Sequence, residues 1–200
     1  MSESPAVDKP GLRERKKAKT RAAIQEHALR LFREQGYEAT TIEQIAEAAE
    51  VSPSTFFRYF PTKEDVVAYD ALDPLVMEAW RAQSKELSPI AAIRLAMREV
   101  AVSMTQSQAE ELMDRGRLLF SVPELRQAAI SELLRSGAMV TDELAARLGR
   151  PADDFELRVF GGAIMGAMMA AMLPLLEHPS QDILESADRA LEFVEKGMPL

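Results

Sequence analysis

Apolar residues recur at spacings of three and four along most of this 200-residue chain, which is the pattern of helices that bury one face. Proline, glycine and serine interrupt the pattern at 88–89, 121–123, 149–151 and 178–180, where helices commonly start or stop. The sequence contains no alternating strand pattern and no internal repeat. It predicts an all-α fold with nine helices, the last six over 63–84, 89–105, 109–120, 123–148, 154–176 and 181–196.

Two short helices are predicted between residues 41 and 59, each with its own start motif. Thr41 and Gln44 can form a capping box, in which each side chain bonds the backbone NH of the other residue. Ser52 can cap the second helix, and Pro53, which has no NH, suits its first position. Helices over 41–49 and 53–59 with a short turn between them form a helix-turn-helix, which places its second helix in the DNA major groove. A hairpin of helices that only packs is the alternative interpretation.

The basic residues are concentrated before this motif. Seven basic residues and one acidic residue lie between Lys9 and Arg21, whereas the whole chain has a net charge of -8 and residues 71–200 hold 13 basic and 20 acidic side chains. An acidic protein with one basic end is expected where only that end meets phosphate. From Lys16 onward the segment is predicted to contact DNA, the alternative being a solvated tail.

At these residues the sequence resembles the TetR family of bacterial transcriptional regulators, over about residues 15 to 68. The residues that carry the resemblance are Ile24, Ala28, Leu31, Phe32, Gly36, Tyr37, Thr40, Thr41, Ile45, Ala46, Val51, Ser52, Thr55, Phe57, Tyr59, Phe60, Lys63 and Glu64. The resemblance implies an N-terminal three-helix domain with the helix-turn-helix, followed by a larger six-helix domain for effector binding and dimerisation. The predicted divisions are a flexible arm over 1–14, a DNA-binding domain over 15–62 and the helical effector domain over 63–200.

The predicted DNA contacts come partly from this resemblance and partly from the basic segment. Positions that match backbone contacts in the family are Thr40, Thr41, Ser52, Tyr59 and Lys63, and positions that match base contacts are Pro53, Ser54 and Thr55. Lys17, Lys19, Arg21 and Arg58 are added for their charge. Because the first turn of the second helix has no Arg, Asn or Gln, thymine methyl groups and DNA shape are predicted to carry much of the specificity.

Two residues depart from the family pattern. Glu50 stands where the family usually has the glycine of a left-handed turn, at a cost of about 1 kcal/mol if the geometry is kept. Phe57 stands where a tyrosine hydroxyl usually serves a phosphate. Arg58 is therefore predicted to carry more of the backbone contact.

Residues 159–176 form an uncharged segment of 18 residues with a Gly-x-x-x-Gly motif, which also suits a membrane helix. The marginal length, Pro174 and the absence of flanking basic clusters favour a helix buried against its own domain and a second copy of the chain. By resemblance, this helix lies in a homodimer interface. The residues predicted there are Gly161, Gly162, Met165, Gly166, Met169 and Ala170. A dimer would pair two recognition helices on a near-palindromic operator.

The middle helices supply a predicted effector pocket of adaptable apolar side chains. Its predicted residues are Met77, Trp80, Met97, Met104, Met113, Arg117 and Phe120. Ordinary core packing is the alternative for each of them. Arg94, Arg98 and Arg115 lie near this set, which leaves an acidic lipid or acyl thioester and a neutral drug-like molecule as alternative effectors.

Other classes of protein find little support in the sequence. The chain has no cysteine, two histidines without a catalytic partner set, no HExxH and no phosphate-binding glycine loop, so no enzyme, cofactor or metal site is predicted. The polar N-terminus predicts a cytoplasmic protein. The sequence thus predicts a ligand-responsive regulator of transcription, in the simplest form a repressor that a hydrophobic small molecule releases from its operator. A DNA-binding dimer without an effector and a helical enzyme are the alternatives.

Overall fold

A computed structural model describes residues 11–176 and 183–200 of the chain. Every regular element within these two ranges is helical. The elements are α1 (Leu12–Gln35), α2 (Ile42–Ala48), α3 (Pro53–Tyr59), α4 (Lys63–Ala68), α5 (Asp73–Ala82), α6 (Pro89–Ser103), α7 (Gln106–Ser121), α8 (Leu125–Leu148), α9 (Phe155–Met172), a 3-10 turn (Leu173–Leu176) and α10 (Ile183–Glu195). The predicted all-α fold is confirmed.

The helix predicted over 63–84 is divided into α4 and α5. When these two are counted as one, and the 3-10 turn is counted with α9, the described ranges contain the nine predicted helices. Local polar bonds hold the backbone between α4 and α5 out of a helical path. Asp70 Oδ1 accepts from Leu72 N at 2.9 Å, and Asp70 N donates to Glu132 Oε1 at 3.0 Å. Pro74 then lies in the first turn of α5, where its missing NH costs nothing.

Two other helices begin earlier than the sequence pattern predicts. Thr105 and Gln108 form a capping box, so α7 begins at Gln106 and not at residue 109. Helix α1 begins at Leu12, so residues 12–14 of the predicted flexible arm are helical. The rest of that arm, residues 1–10, lies outside the described residues, as do residues 181 and 182 of the last predicted helix.

The chain forms two compact units, Met1–Val66 and Val67–Leu200, which are called the helix-turn-helix unit and the C-terminal unit below. In the first unit α1, α2 and α3 enclose a small aromatic core. Its fully buried side chains include Ile24, Ile45 and Phe56. The buried Gln25 side chain donates from Nε2 to Val66 O at 2.8 Å, so this polar group has a partner within the core.

In the C-terminal unit α9 packs between α8 and α10, while α5 and α6 pack against each other. The core of this unit contains Trp80, Ile93, Leu144, Ile164 and Leu191. Helices α8 and α9 approach closely where Gly161 of α9 faces the Thr141 side chain and the Gly137 carbonyl of α8. Ion pairs from Arg94 of α6 to Asp188 at 3.0 Å and Glu195 at 2.6 Å join α6 to α10.

Candidate nucleic-acid interface and ligand cavity

Local capping bonds set the starts of α2 and α3. The predicted capping box is present: Gln44 N donates to Thr41 Oγ1 at 3.3 Å and Thr41 N donates to Gln44 Oε1 at 2.9 Å. At α3 the Ser52 hydroxyl accepts from Thr55 N at 3.0 Å, and Pro53 occupies the first turn. The two helices and their turn therefore have the helix-turn-helix form that the sequence predicts.

The turn between α2 and α3 contains a left-handed residue. Glu50 has φ of 54°, the conformation that the family glycine makes easy. Its neighbours close the turn with Glu50 N donating to Glu47 O at 3.0 Å and Val51 N to Ala46 O at 2.9 Å. The geometry of the turn is kept, and a non-glycine residue bears the strain.

Helix α3 turns one face inward and the other to solvent. Phe56 is buried in the core, whereas Pro53, Ser54 and Arg58 are exposed and Thr55 is half-buried. Phe57 is half exposed, so the phenyl group that replaces the family tyrosine lies at the surface. The exposed face of α3 therefore presents a short hydroxyl group, a proline and one guanidinium.

The basic start of α1 and the end of α3 form an open concavity of about 840 Å3. Its lining residues are Leu12, Arg13, Lys16, Lys17, Thr20, Arg58 and Tyr59. Arg21 Nη2 donates to Tyr59 O at 3.4 Å, which holds α1 against the end of α3. The concavity thus joins four cationic side chains from two helices. The predicted set omitted Arg13 and Lys16, although both lie in the basic segment, while the predicted Lys19 is exposed and does not line the concavity.

Two residues predicted to contact DNA have structural partners. Thr40 is 1% exposed, and its hydroxyl donates to Gly36 O at 2.8 Å. Lys63 Nζ donates to Tyr37 O at 2.9 Å and Thr40 O at 3.0 Å and lies 4.1 Å from the Tyr37 ring centroid. The predicted Thr40 contact is therefore corrected to a role in shaping the loop, because its side chain is enclosed. Lys63 fastens the start of α4 to the same loop. Thr41 and Ser52 are exposed.

Tyr37 completes this loop by bonding a carboxylate of α4. Its hydroxyl donates to Glu64 Oε1 at 2.7 Å. Burial alone would raise the pKa of Glu64, but the hydrogen bonds from Tyr37, from Thr62 and from the backbone, together with the charge of Lys63, outweigh it, and the pKa lies below its ordinary value. The Gly36-Tyr37 corner and α4 are thereby fixed to each other within the helix-turn-helix unit.

A second concave site lies inside the C-terminal unit, as a cavity of about 130 Å3. Most of its wall is apolar and includes six methionines. The lining residues are Asp70, Leu72, Asp73, Val76, Met77, Ile93, Met97, Val100, Ala101, Met104, Leu112, Arg115, Ser136, Val140, Ile164, Met165, Met168, Met172, Leu184 and Ala187. An apolar wall with a few convergent polar groups is typical of a small-molecule site.

The polar groups of the cavity come from the segment after α4 and from α5, α7 and α8. Arg115 donates from Nη1 to Ala68 O and Tyr69 O, both at 3.2 Å, and from Nη2 to Asp70 Oδ2 at 2.6 Å. Ser136 Oγ donates to Asp73 Oδ2 at 2.5 Å. The cavity therefore has one charged end, which is bonded to the last residues of α4.

The two aspartates at this end differ in their acidity. Burial alone would raise the pKa of Asp70, but Arg115 holds it below its ordinary value. Burial, followed by the charge of Asp70, raises the pKa of Asp73 to about 6. Asp73 is therefore the carboxylate whose charge changes close to physiological pH.

Of the predicted pocket residues that the structure describes, three line this cavity and three do not. Met77, Met97 and Met104 line it, whereas Trp80 is fully buried in the core and Met113 lies outside the lining. Arg117 is exposed and pairs with Asp114 at 2.9 Å, so it is corrected to a surface ion pair. The Phe120 side chain lies outside the described residues. Arg115, which lies near the predicted pocket residues in the sequence, supplies the cavity guanidinium instead.

The exposed side of α9 carries an apolar stripe. It consists of Phe155, Val159, Gly162, Ala163, Gly166, Met169, Ala170 and Leu173, all exposed in the single chain. Two predicted interface residues are not part of this stripe. Gly161 is buried against α8, and Met165 lines the cavity beside Gly137. Gly161 is therefore corrected to a contact within the chain, while Met165, at the edge of the stripe, is half-buried and packs against α8 and the cavity.

Helix α9 is the one described helix that is long and apolar enough to cross a membrane. Length and composition alone do not identify a membrane helix, since a helix in the core or interface of a soluble protein has the same properties. Leu157, Gly161, Ile164 and Ala171 are buried inside the chain. The helix thus has one face packed within its own unit and one unpacked apolar face. In the described ranges no three His, Asp or Glu side chains are grouped as a metal site.

Two family profiles match the chain. "Bacterial regulatory proteins, tetR family" matches residues 24–69, the region of the helix-turn-helix. "MftR C-terminal domain" matches residues 87–199, which is more than half of the chain.

The chain is also similar to individual regulators. The HTH-type transcriptional regulator TcmR of Streptomyces glaucescens is 38% identical over 148 residues, which cover 70% of this chain and 62% of TcmR. RutR of Escherichia coli K12 is 29% identical over 168 residues, or 82% of this chain and 71% of RutR. The chain thus matches less than two thirds of the length of TcmR.

Among solved structures, the TetR-type repressor FadR of Thermus thermophilus, in complex with lauroyl-CoA, superposes with a TM-score of 0.57. The identity is 28%, and the superposition covers 90% of this chain and 95% of FadR. The arrangement of helices is therefore shared along nearly the whole length of both chains.

Proposed function

The chain belongs to the TetR family of bacterial regulatory proteins, and from this premise we propose that it is a cytoplasmic, ligand-responsive regulator of transcription. It binds double-stranded operator DNA as a homodimer, and a small hydrophobic molecule in the C-terminal cavity releases it. TcmR and RutR, which are transcriptional regulators, support a regulator and not an enzyme. Catalytic turnover of a bound ligand would contradict this function.

One observation carries the DNA-binding part of the proposal: the cationic concavity beside the exposed face of α3. Arg13, Lys16 and Lys17 of α1 lie in the same concavity as Arg58 of α3. Cationic side chains that surround a recognition helix bind phosphates and fix its orientation, while the helix itself meets the base edges. Pro53, Ser54 and Thr55 are at the start of α3, where a helix-turn-helix makes its base contacts.

The exposed stripe of α9 supports a homodimer. Apolar residues along one helix face, together with Phe193 of α10 at 41% exposure, form a surface that a soluble chain stabilises by covering it. Gly162 and Gly166 would let two copies of α9 approach closely. A symmetric pair of α3 helices then fits two half-sites about one DNA turn apart, so a near-palindromic operator is expected.

Helix α4 supports a link between the cavity and the DNA-binding surface. At its start Lys63 bonds the Tyr37 and Thr40 carbonyls, and at its end Arg115 bonds the carbonyls of Ala68 and Tyr69. A ligand that enters beside this charged end and shifts its hydrogen bonds changes the contacts at the end of the helix whose start is fastened to the helix-turn-helix. DNA affinity falls only as far as the ligand prefers the form that does not bind DNA.

The lauroyl-CoA complex of FadR supports an effector with an apolar part for a chain of this fold. The cavity here is about 130 Å3, which is smaller than the roughly 300 Å3 at which drug-sized sites begin. Its six methionines can rearrange, because unbranched thioether side chains adapt to varied shapes. A small apolar effector therefore enters directly, and a long acyl chain requires the methionines to move.

The test begins with purified protein and a pool of genomic DNA fragments, with the retained fragments sequenced at low and at raised salt. One inverted-repeat motif is expected at both salt concentrations, since phosphate-only binding is lost as salt rises. Retention without any sequence preference would contradict the function.

A pair of matched double variants tests the surface. Lys16→Ala with Lys17→Ala should weaken binding to every sequence and reduce the salt slope by about 2, close to one per phosphate contact. Arg30→Ala with Arg33→Ala removes the same charge from α1 outside the concavity and should leave the slope nearly unchanged. Equal losses of DNA affinity in both double variants would show that the concavity is not part of the DNA interface.

A further inference from the structure

We propose that the effector has a body about the size of one aromatic ring and a hydrogen-bond donor, preferably a protonated amine, that binds Asp73 Oδ1 at the charged end of the cavity. This inference rests on the proposed function, because it names the ligand class of the proposed effector site. It follows from the hydrogen bonds at that end, from the charge of the lining and from the volume.

The hydrogen bonds leave one carboxylate oxygen without a partner. Both Asp70 oxygens are occupied, since Oδ1 accepts from Leu72 N and Oδ2 from Arg115. Asp73 uses only Oδ2, which accepts from Ser136 Oγ at 2.5 Å and from Arg135 Nη2 at 3.3 Å. Within the described ranges Asp73 Oδ1 has no partner. A hydrogen-bond donor on a ligand would supply the missing partner of this oxygen.

The charge of the lining also favours a donor. The charged side chains that line the cavity are Asp70, Asp73 and Arg115, so two carboxylates face one guanidinium. Arg115 is already paired with Asp70 at 2.6 Å. Behind the lining, Arg135 pairs with Glu132 and adds no net charge. A cationic group near Asp73 is attracted, whereas an anion meets an excess of negative charge.

The volume limits the body of the ligand. An apolar cavity of about 150 Å3 in another protein accepts benzene without collapse, and this cavity is of similar size at about 130 Å3. Met77, Met97 and Met168 line it with polarisable thioethers, which make favourable contacts with aromatic rings. One ring with a short polar arm therefore matches both the apolar wall and the charged end.

An anionic effector anchored by Arg115 is the competing chemistry. Its carboxylate would have to displace or share the Nη2 bond to Asp70, and it would lie close to Asp73. Such a ligand gains one guanidinium and opposes two carboxylates. The two anchors make opposite predictions for the charge of the ligand, so one set of compounds separates them.

The experiment uses four compounds that share one ring: benzylamine, benzyl alcohol, toluene and benzoate. Isothermal titration calorimetry of the full chain without DNA measures each affinity at pH 7.5. A charge-assisted hydrogen bond in a partly enclosed site corresponds to about a tenfold to hundredfold change in affinity. Benzylamine should therefore bind at least about tenfold more tightly than toluene, with benzyl alcohol between them and benzoate weakest.

Asp73→Asn should remove most of the difference between benzylamine and toluene and leave toluene affinity unchanged. Ser136→Ala is the second variant, since it removes the partner of Oδ2 without touching Oδ1, and it should retain the preference for benzylamine. The matched control is Asp114→Asn, an aspartate of α7 that does not line the cavity. It should behave as the wild type.

Tighter binding of benzoate than of benzylamine would overturn the inference and identify Arg115 as the anchor. Equal binding of all four compounds, or binding of none, would also overturn it. These results are independent of DNA binding. Loss of the operator in the fragment experiment contradicts the proposed function, whereas a wrong order of the four compounds contradicts only the ligand class.

Discussion

The two units of the chain use their polar side chains in different ways. In the helix-turn-helix unit the side chains of Thr41, Ser52 and Lys63 close helix starts or bond loop carbonyls. Among the described residues of the C-terminal unit, one oxygen of Asp73 has no partner beside a cavity, and α9 leaves an apolar stripe uncovered. Thr41, Ser52 and Lys63 thus have partners within their own unit, while the second unit has groups that a ligand and a second chain can complete.

This difference matches the tasks that we propose for the units. A surface that contacts DNA gains specificity when its side chains are held in fixed positions before binding. A ligand site that controls an equilibrium needs a form whose bonds change when the ligand enters. Substitutions should therefore change the free energy of unfolding most where helices of the C-terminal unit pack tightly. They should change it least at the single strained residue of the helix-turn-helix unit.

Gly161→Ala should be the most destabilising of the substitutions considered, by about 2 kcal/mol. A Cβ at Gly161 would lie 2.9 Å from Gly137 O and closer still to Thr141 Oγ1, and overpacking of this kind typically costs about 1–3 kcal/mol. The backbone oxygen cannot turn away as a flexible side chain could. Urea unfolding at fixed protein concentration measures the change.

The neighbouring glycine is the matched control for packing within the chain. Gly162 has no atom of its own chain within 4 Å of an added Cβ, so at concentrations where the chain is monomeric Gly162→Ala should stabilise it by up to about 1 kcal/mol through helix propensity. Similar unfolding free energies for the two variants would contradict the close contact between α8 and α9. A change in the concentration dependence of unfolding for Gly162→Ala alone would place the stripe in a dimer interface.

Asp73→Asn should change the pH dependence of stability. Because the pKa of Asp73 is raised from 3.8 to about 6, the folded state binds its proton more tightly than the unfolded state. Wild-type stability therefore falls as pH rises from about 4 to 6, by on the order of 2 kcal/mol from this residue. The amide cannot ionise, so the variant should gain stability over the wild type as pH rises. Unfolding free energies at pH 4.5 and 7.5 measure the effect.

Asp188→Asn gives the opposite sign and serves as the comparison. Hydrogen bonds from Arg94 and Arg98 hold the pKa of Asp188 below its ordinary value. Its contribution to stability is present at neutral pH and is lost as pH falls through the folded pKa. This variant should therefore lose more stability at pH 7.5 than at low pH. The same direction for both aspartates would show that Asp73 is not held in a cavity that disfavours its charge.

The sequence was most informative where a helix start depends on neighbouring residues. The Thr41 and Gln44 box, the Ser52 cap and the Gly149 stop are local, and the structure has all of them. The break before α5 was not predicted, because it depends on Glu132, which is 62 residues from Asp70 in the sequence.

The side chains of the C-terminal unit were harder to assign for a similar reason. Gly161 and Gly162 are neighbouring glycines that the sequence does not distinguish. The packing of α9 on α8 decides that Gly161 is the buried one. Arg115 and Arg117 are both basic residues of one helix, and the position of Asp70 selects the first. Which face of an apolar helix meets which neighbour is a tertiary property, and periodicity alone does not contain it.

Glu50→Gly should have a smaller effect than Gly161→Ala and Asp73→Asn. It should stabilise the chain by up to about 1 kcal/mol. Glu50 has φ of 54°, where a residue with a Cβ is strained and glycine is not. The exposed carboxylate of Glu50 has no hydrogen bond within the described ranges, so its removal breaks no contact in the chain. Thermal unfolding of the two proteins measures the difference.

Glu50→Ala is the control, since it removes the charge and keeps the Cβ. It should leave the stability nearly unchanged, and a gain equal to that of Glu50→Gly would assign the effect to charge and not to the backbone. The result also bears on the difference between the two units. If relieving Glu50 stabilises the chain without changing operator affinity, the turn already holds α3 in the position that DNA requires despite the strain.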